Sequence, residues 1–186
     1  MENTKDILKN LSGYKGVIYD FDGTIATIQV DWKELKSELQ EYVLKETGDI
    51  YFFTPLDVEL VRCRQTYGEE MYESLLKIIA FYEWKNGLKN RNNILIEYIQ
   101  SSKQKQALFT MNTTQAIDWY IHEIFTINPF DVIITKNTCI APKPSANDLQ
   151  KIYQQWKLTK NDVVYIGNSD VDIESGRLAW IITYTI

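Results

Sequence analysis

Five short apolar runs, at 16–20, 106–110, 131–135, 162–167 and 180–184, constrain this chain more than any other feature. Each is rich in β-branched or aromatic residues and bounded by polar ones, which predicts buried strands. The stretches around the later runs carry helical spacing. Ile94, Ile96, Tyr98 and Ile99 precede the second run, and Ala116, Trp119, Tyr120, Ile121 and Ile124 follow it. Leu149, Ile152, Tyr153 and Trp156 fall at i, i+3, i+4 and i+7. Strands alternating with helices predict an α/β fold built on a Rossmann-like, doubly wound parallel sheet.

The first and second runs are too far apart for a simple crossover. Roughly 29–89 reads as helical throughout. Leu35, Leu39, Tyr42 and Val43 mark one amphipathic helix after Asp31-Trp32. Thr54-Pro55 predicts a helix start, with Thr as N-cap and Pro at the first helical position. Met71, Leu75, Ile78, Ile79 and Tyr82 mark another helix, which Gly87 would stop. The expected organisation is a core made of 1–28 and 90–186, with a small all-helical domain at 29–89 inserted after the first strand. Linkers are expected near 27–29 and 86–90. There is no internal repeat and no low-complexity tract.

The net charge of −5 argues against nucleic acid or an anionic membrane as the main partner. Cys63 and Cys139 are too few for a disulfide framework and read as free thiols in a reducing compartment. Residues 1–15 are polar and charged, with no apolar stretch of signal-peptide type. No run approaches the ~18–20 apolar residues of a membrane helix. A cytoplasmic enzyme or binding domain is the expectation.

The chemistry lies where the runs end. Asp20-Phe21-Asp22-Gly23-Thr24 closes the first, placing two carboxylates one residue apart beside a flexible Gly. The second delivers Thr110, followed by Asn112. After the third comes Ala141-Pro142-Lys143-Pro144. The fourth ends in Gly167-Asn168-Ser169-Asp170-Val171-Asp172. Strand carboxyl ends share one edge of a parallel sheet, so these segments should meet. Carboxylates, a hydroxyl and an ammonium together suit a phosphoryl group with Mg²⁺, a hard cation that takes oxygen ligands.

These motifs resemble those of the haloacid dehalogenase-like hydrolase superfamily, all four in order and over nearly the whole chain. Asp20 to Thr24 match its Asp-x-Asp-Gly-Thr, Thr110 its strand-closing Ser or Thr, Lys143-Pro144 its Lys, and Gly167 to Asp172, in part, its acidic segment. The inserted helices resemble the family's small C1-type cap. The resemblance implies a Mg²⁺-dependent phosphatase acting on a small phosphorylated metabolite. Asp20 would be the nucleophile and form an aspartyl-phosphate. Asp22 would be general acid, then base. Thr110 and Lys143 would bind phosphoryl oxygens, helped by the backbone of Met111 and Asn112. Mg²⁺ would be held by Asp20, the Asp22 carbonyl, Asn168 and Asp172. Asp22 assigns the chain to the phosphotransfer branch rather than the dehalogenases. A phosphomutase of the β-phosphoglucomutase type and a weakly active binding protein of the same fold are the alternatives. A receiver-like phospho-acceptor domain fits less well, because its acceptor Asp lies on a later strand.

Two features depart from the pattern. Asn168 stands where the family has an Asp, and an amide offers Mg²⁺ an oxygen without charge. Many relatives also continue with another strand and helix. The expectation here is a trimmed core, or an edge covered by a partner chain such as a second copy in a homodimer. His122, the single histidine, falls on a helix away from the expected site. Asp170 and Ser169 read as turn or cap residues.

Overall fold

A computed structural model describes residues 4–186. Helix α1 (Thr4–Asn10) leads through a short 3-10 turn into strand β1 (Gly16–Tyr19). Strand β2 (Ala26–Ile28) follows, then helices α2 (Trp32–Thr47), α3 (Leu56–Tyr67) and α4 (Glu69–Lys85), and strand β3 (Leu88–Arg91). Next come α5 (Asn93–Ser101), β4 (Lys105–Phe109), α6 (Thr114–Ile124) and β5 (Val132–Ile134). The chain closes with α7 (Asn147–Gln155), β6 (Val163–Gly167), α8 (Asp170–Ala179) and β7 (Ile182–Thr185).

The main sheet is parallel, with strand order β5-β4-β1-β6-β7. From β1 the chain moves outward to β4 and β5, then crosses back to β6 and β7. Strand β1 therefore sits where the winding reverses, and open α/β sheets bind their ligands beyond the strand ends at that point. All residues of β1 and β6 are buried, as expected for central strands covered on both faces. One face packs Ile18, Phe109, Ile134, Val163 and Tyr165 against Leu149 and Ile152 of α7 and Ala179 of α8. Each fully buried Leu or Ile contributes about 1.5–3 kcal/mol.

The five expected runs are thus the five strands of the sheet, in the expected fold class. Two details differ. Trp180, read as the start of the last strand, is instead the left-handed C-cap of α8 at φ 60°, and β7 begins two residues later. Leu88 and Lys89, read as helical, lie in β3, which pairs antiparallel with β2. That pair has only three and four residues, and three of the four in β3 are exposed. The exposed side chains of β3 therefore carry no strand pattern.

Residues 29–87 form a compact unit of their own. Asp31 caps α2, accepting from the N–H groups of Lys33 and Glu34 at 3.1 and 3.0 Å. Gly48 ends the same helix at φ 80°, a conformation that Gly adopts without cost. Leu35, Leu39, Val43, Phe53, Leu60, Cys63, Leu75 and Ile79 build its core. Helix α3 starts one residue later than expected, with Pro55 rather than Thr54 at the N-cap. Thr54 Oγ1 instead accepts from Lys36 Nζ at 3.2 Å. No helix among the described residues is long and apolar enough to cross a membrane.

Candidate active site

The loop after β1 is a tight turn around one carbonyl. Phe21 O accepts from the N–H groups of Thr24, Ile25 and Ala26 at 3.1, 3.0 and 3.2 Å. Gly23 takes φ 83° within it, and a Cβ there would lie 1.9 Å from the Asn168 amide nitrogen. Gly is therefore required twice, by conformation and by close approach. The Phe21 ring stacks on Tyr120 at 6.0 Å, anchoring the turn to the core.

Asp20 leaves the end of β1 buried, and its N–H donates to Ile166 O of β6 at 2.8 Å. Its Oδ1 accepts from Lys143 Nζ at 2.7 Å, and its Oδ2 from Thr24 Oγ1 at 3.2 Å. Lys143 also donates to Asp172 Oδ1 at 2.8 Å. The ammonium thus lies between two carboxylates, with the Phe109 and Tyr165 ring centroids 4.8 and 5.4 Å away. Lys143 comes from a loop fixed by the buried Asp148, whose carboxylate accepts from Ile140 N–H at 2.9 Å and Ala141 N–H at 3.4 Å.

Asp172 is the most heavily bonded of these acids. Besides Lys143, its Oδ1 accepts from Tyr165 OH at 2.6 Å. Its Oδ2 accepts from Asn168 N–H, Ser169 N–H and Ser169 Oγ at 3.2, 3.1 and 2.5 Å. Ser169 and Asp172 form a reciprocal capping box at the start of α8. Gly167 makes this possible, because a Cβ there would meet Asp172 Cβ at 2.4 Å.

The same ammonium leaves the two carboxyls with opposite acidities. Burial pushes Asp20 up to about 6; Lys143 pulls it down, and the neighbouring Asp172 charge pushes it up again. Burial also acts against ionised Asp172. There the Lys143 charge and the bonds from Lys143, Ser169 and Tyr165 prevail and hold it below the usual carboxylate range. The difference follows from the number of donors each carboxylate collects.

Asp22 is half-buried, and its Oδ1 accepts from Ile28 N–H at 2.8 Å. Burial raises its pKa, and that bond partly opposes the rise. Thr110 is fully buried at the end of β4. Its Oγ1 donates to Asn112 Oδ1 at 2.6 Å, and Asn112 N–H donates back at 3.2 Å. Met111, between them, is half-buried.

Direct contact therefore joins Asp20, Lys143 and Asp172, and Asn168 lies against Gly23. Asp22 and the Thr110–Asn112 pair bond elsewhere at the same edge. His122 is exposed on α6 with Nδ1 against Asp118 O, apart from this group. Sequence reasoning did not single out Tyr165, Asp148, or Lys136, a second buried lysine whose N–H donates to Asn112 O at 2.9 Å. Each sits in an apolar or loop context that packing or turn chemistry explains equally well.

Among the described residues, no three His, Cys, Asp or Glu side chains converge as a cation cluster. Five donors bond the two oxygens of Asp172, expected as a metal ligand, against one donor on each oxygen of Asp20. The oxygens left for a cation are those of Asp20, the Asp22 backbone carbonyl and the exposed Asn168 amide. One carboxylate and two neutral oxygens suit Mg²⁺, which usually keeps water and takes further oxygens from phosphate.

The family model for haloacid dehalogenase-like hydrolases matches residues 17–186. The chain belongs to this family. A haloacid dehalogenase-like hydrolase domain-containing protein of Arabidopsis thaliana is 27% identical over 177 residues, 91% of this chain and 69% of that protein. A haloacid dehalogenase-like hydrolase from Bacteroides fragilis shares the fold with a TM-score of 0.64 at 18% identity, over 91% of this chain and 86% of that one. CbbY from Rhodobacter sphaeroides, solved in complex with phosphate, superposes with a TM-score of 0.62 at 14% identity, over 91% and 84%. As a haloacid dehalogenase-like hydrolase, the chain carries the family's opening motif in the turn that bears Asp20 and Asp22.

Proposed function

We propose that this hydrolase is a Mg²⁺-dependent phosphatase that cleaves a small phosphorylated metabolite through an aspartyl-phosphate on Asp20. The observation that carries the reading is the buried Asp20–Lys143–Asp172 run at the carboxyl ends of β1 and β6. An ionised carboxylate beside a fixed ammonium, on a turn loosened by Gly, suits attack on phosphorus. The phosphate bound by CbbY and the family's typical use of Mg²⁺ support the same chemistry.

In the first half-reaction an Asp20 oxygen bonds to phosphorus as the ester P–O bond breaks. Asp22, whose burial favours the protonated form, gives its proton to the departing oxygen. In the second, Asp22 takes a proton from water as that water attacks phosphorus. The P–O bond to Asp20 breaks, and inorganic phosphate leaves. Lys143, Thr110 and the backbone N–H groups of Met111 and Asn112 would hold the phosphoryl oxygens. Asp20, the Asp22 carbonyl and the Asn168 amide oxygen would hold Mg²⁺, which when bound offsets phosphoryl charge. Asp172 keeps Lys143 in place.

Release of phosphate from an aryl phosphate, with and without Mg²⁺, tests the reading. Expected is Mg²⁺-dependent release that drops at least about a thousandfold in Asp20→Asn while the protein stays folded. Equal release by Asp20→Asn removes the covalent route. No release from a broad panel of phosphate monoesters by folded wild-type protein removes the phosphatase reading.

A further inference from the structure

Tyr165 lies in the middle of β6, fully buried, two residues before Gly167. Its ring packs in the core beside Phe109, with centroids 6.4 Å apart. A phenylalanine would fill the same space, so packing does not account for the hydroxyl. That hydroxyl donates to Asp172 Oδ1 at 2.6 Å, the same oxygen that accepts from Lys143 at 2.8 Å.

Lone pairs decide what this does. A carboxylate offers about four acceptor directions, two on each oxygen. The turn ahead of α8 crowds three donors onto Oδ2. Tyr165 and Lys143 divide Oδ1. Asp172 can then hold Lys143 by one bond only, and the ammonium keeps a second bond for Asp20 Oδ1 at 2.7 Å. An ammonium has three donors, which leaves one to aim at a third anion. Remove the hydroxyl, and Asp172 Oδ1 faces Lys143 alone. Its undivided charge then draws the ammonium away from Asp20.

We propose that Tyr165 is a positioning residue for the phosphoryl-binding lysine. By taking one side of Asp172 Oδ1, it keeps Lys143 shared between the two carboxylates, with a donor turned to the transferring phosphoryl group. The proposal rests on the phosphatase reading above. It deepens that reading by placing part of the site's selectivity for phosphoryl oxygens on a residue that does not touch them.

The experiment is a double-mutant cycle on the whole chain, using Tyr165→Phe, Lys143→Met and the pair. Three quantities are read: calorimetric affinity for inorganic phosphate in the presence of Mg²⁺, and kcat and KM on an aryl phosphate. Tyr165→Phe should lower phosphate affinity about tenfold, with a matching rise in KM, while kcat changes less. In the Lys143→Met background the same substitution should change phosphate affinity less than about twofold, because its effect passes through the missing lysine. Equal losses in both backgrounds, unaltered affinity in Tyr165→Phe, or failure of that variant to fold overturns the proposal and leaves the phosphatase reading standing. Wild-type protein that neither binds nor releases phosphate overturns both.

Discussion

The charges at this site are costly to keep. Asp20 is held near 6 by burial, above its ordinary 3.8. Below that ordinary value, folded and unfolded chains both hold the proton, so a neutral replacement changes little. As the pH rises through 6, the folded chain must ionise a buried acid, and the stability tied to its proton is lost. Asp20→Asn should therefore stabilise the metal-free protein above pH 6, by about 2–3 kcal/mol, with no gain near pH 3.8. Melting curves in chelator across that range check it. Asp22 gives a kinetic counterpart. If it protonates the departing oxygen, Asp22→Asn should slow an alkyl phosphate about a hundredfold or more, and an aryl phosphate far less, because a good leaving group needs no proton. Equal losses on both substrates would sink that role. The motif residues were legible at this scale because their types and order point to phosphoryl chemistry. Their bonding was not. Asp172 read as a metal ligand, and nothing in its motif shows the five donors that surround it at the start of α8. Tyr165 resembles any buried aromatic until its hydroxyl is given a partner.

Elements show the same division between pattern and partner. The five strands of the sheet were readable because burial on both faces writes itself as an apolar run. Strands β2 and β3 were not, since Lys89, Asn90 and Arg91 face solvent and the pairing is made by the backbone. The boundary of the last strand slipped because Trp180 looks like a strand residue yet caps α8. Strand β6 shows how a start is fixed. Asp162, just before it, accepts from Lys15 Nζ at 2.7 Å and from Thr159 N–H and Oγ1 at 2.9 and 2.5 Å. Those bonds, led by Lys15, hold its carboxyl well below 3.8. A depressed carboxyl lends stability above its ordinary pKa, and that stability is lost as acid protonates it. Asp162→Asn should thus lower the melting temperature at pH 6–8, and the gap should narrow as the pH falls below 4. A gap that persists in acid would mean that the ion pair is not its source.

At the scale of the molecule, 29–87 has a hydrophobic core of its own. Helix α4 packs on both α2 and α3 within it, so it should open as a unit. Leu75→Ala, at a fully buried position of α4, should cost about 2–5 kcal/mol. Hydrogen exchange should show protection lost first across 32–85, with the amides of β1, β4 and β6 less affected. Uniform loss over the chain would instead mean a single cooperative unit. The strand order carries a consequence for synthesis. Gly16 of β1 pairs with Lys105 on one side and Val163 on the other. On a ribosome adding about 5–20 residues per second, the first neighbour of β1 arrives roughly 5–20 s after it. The helices between them have emerged by then and can fold on local contacts. The strand that leads to Asp20 is thus made well before either neighbour can pair with it, and a chain halted before residue 105 would leave that apolar strand unpaired.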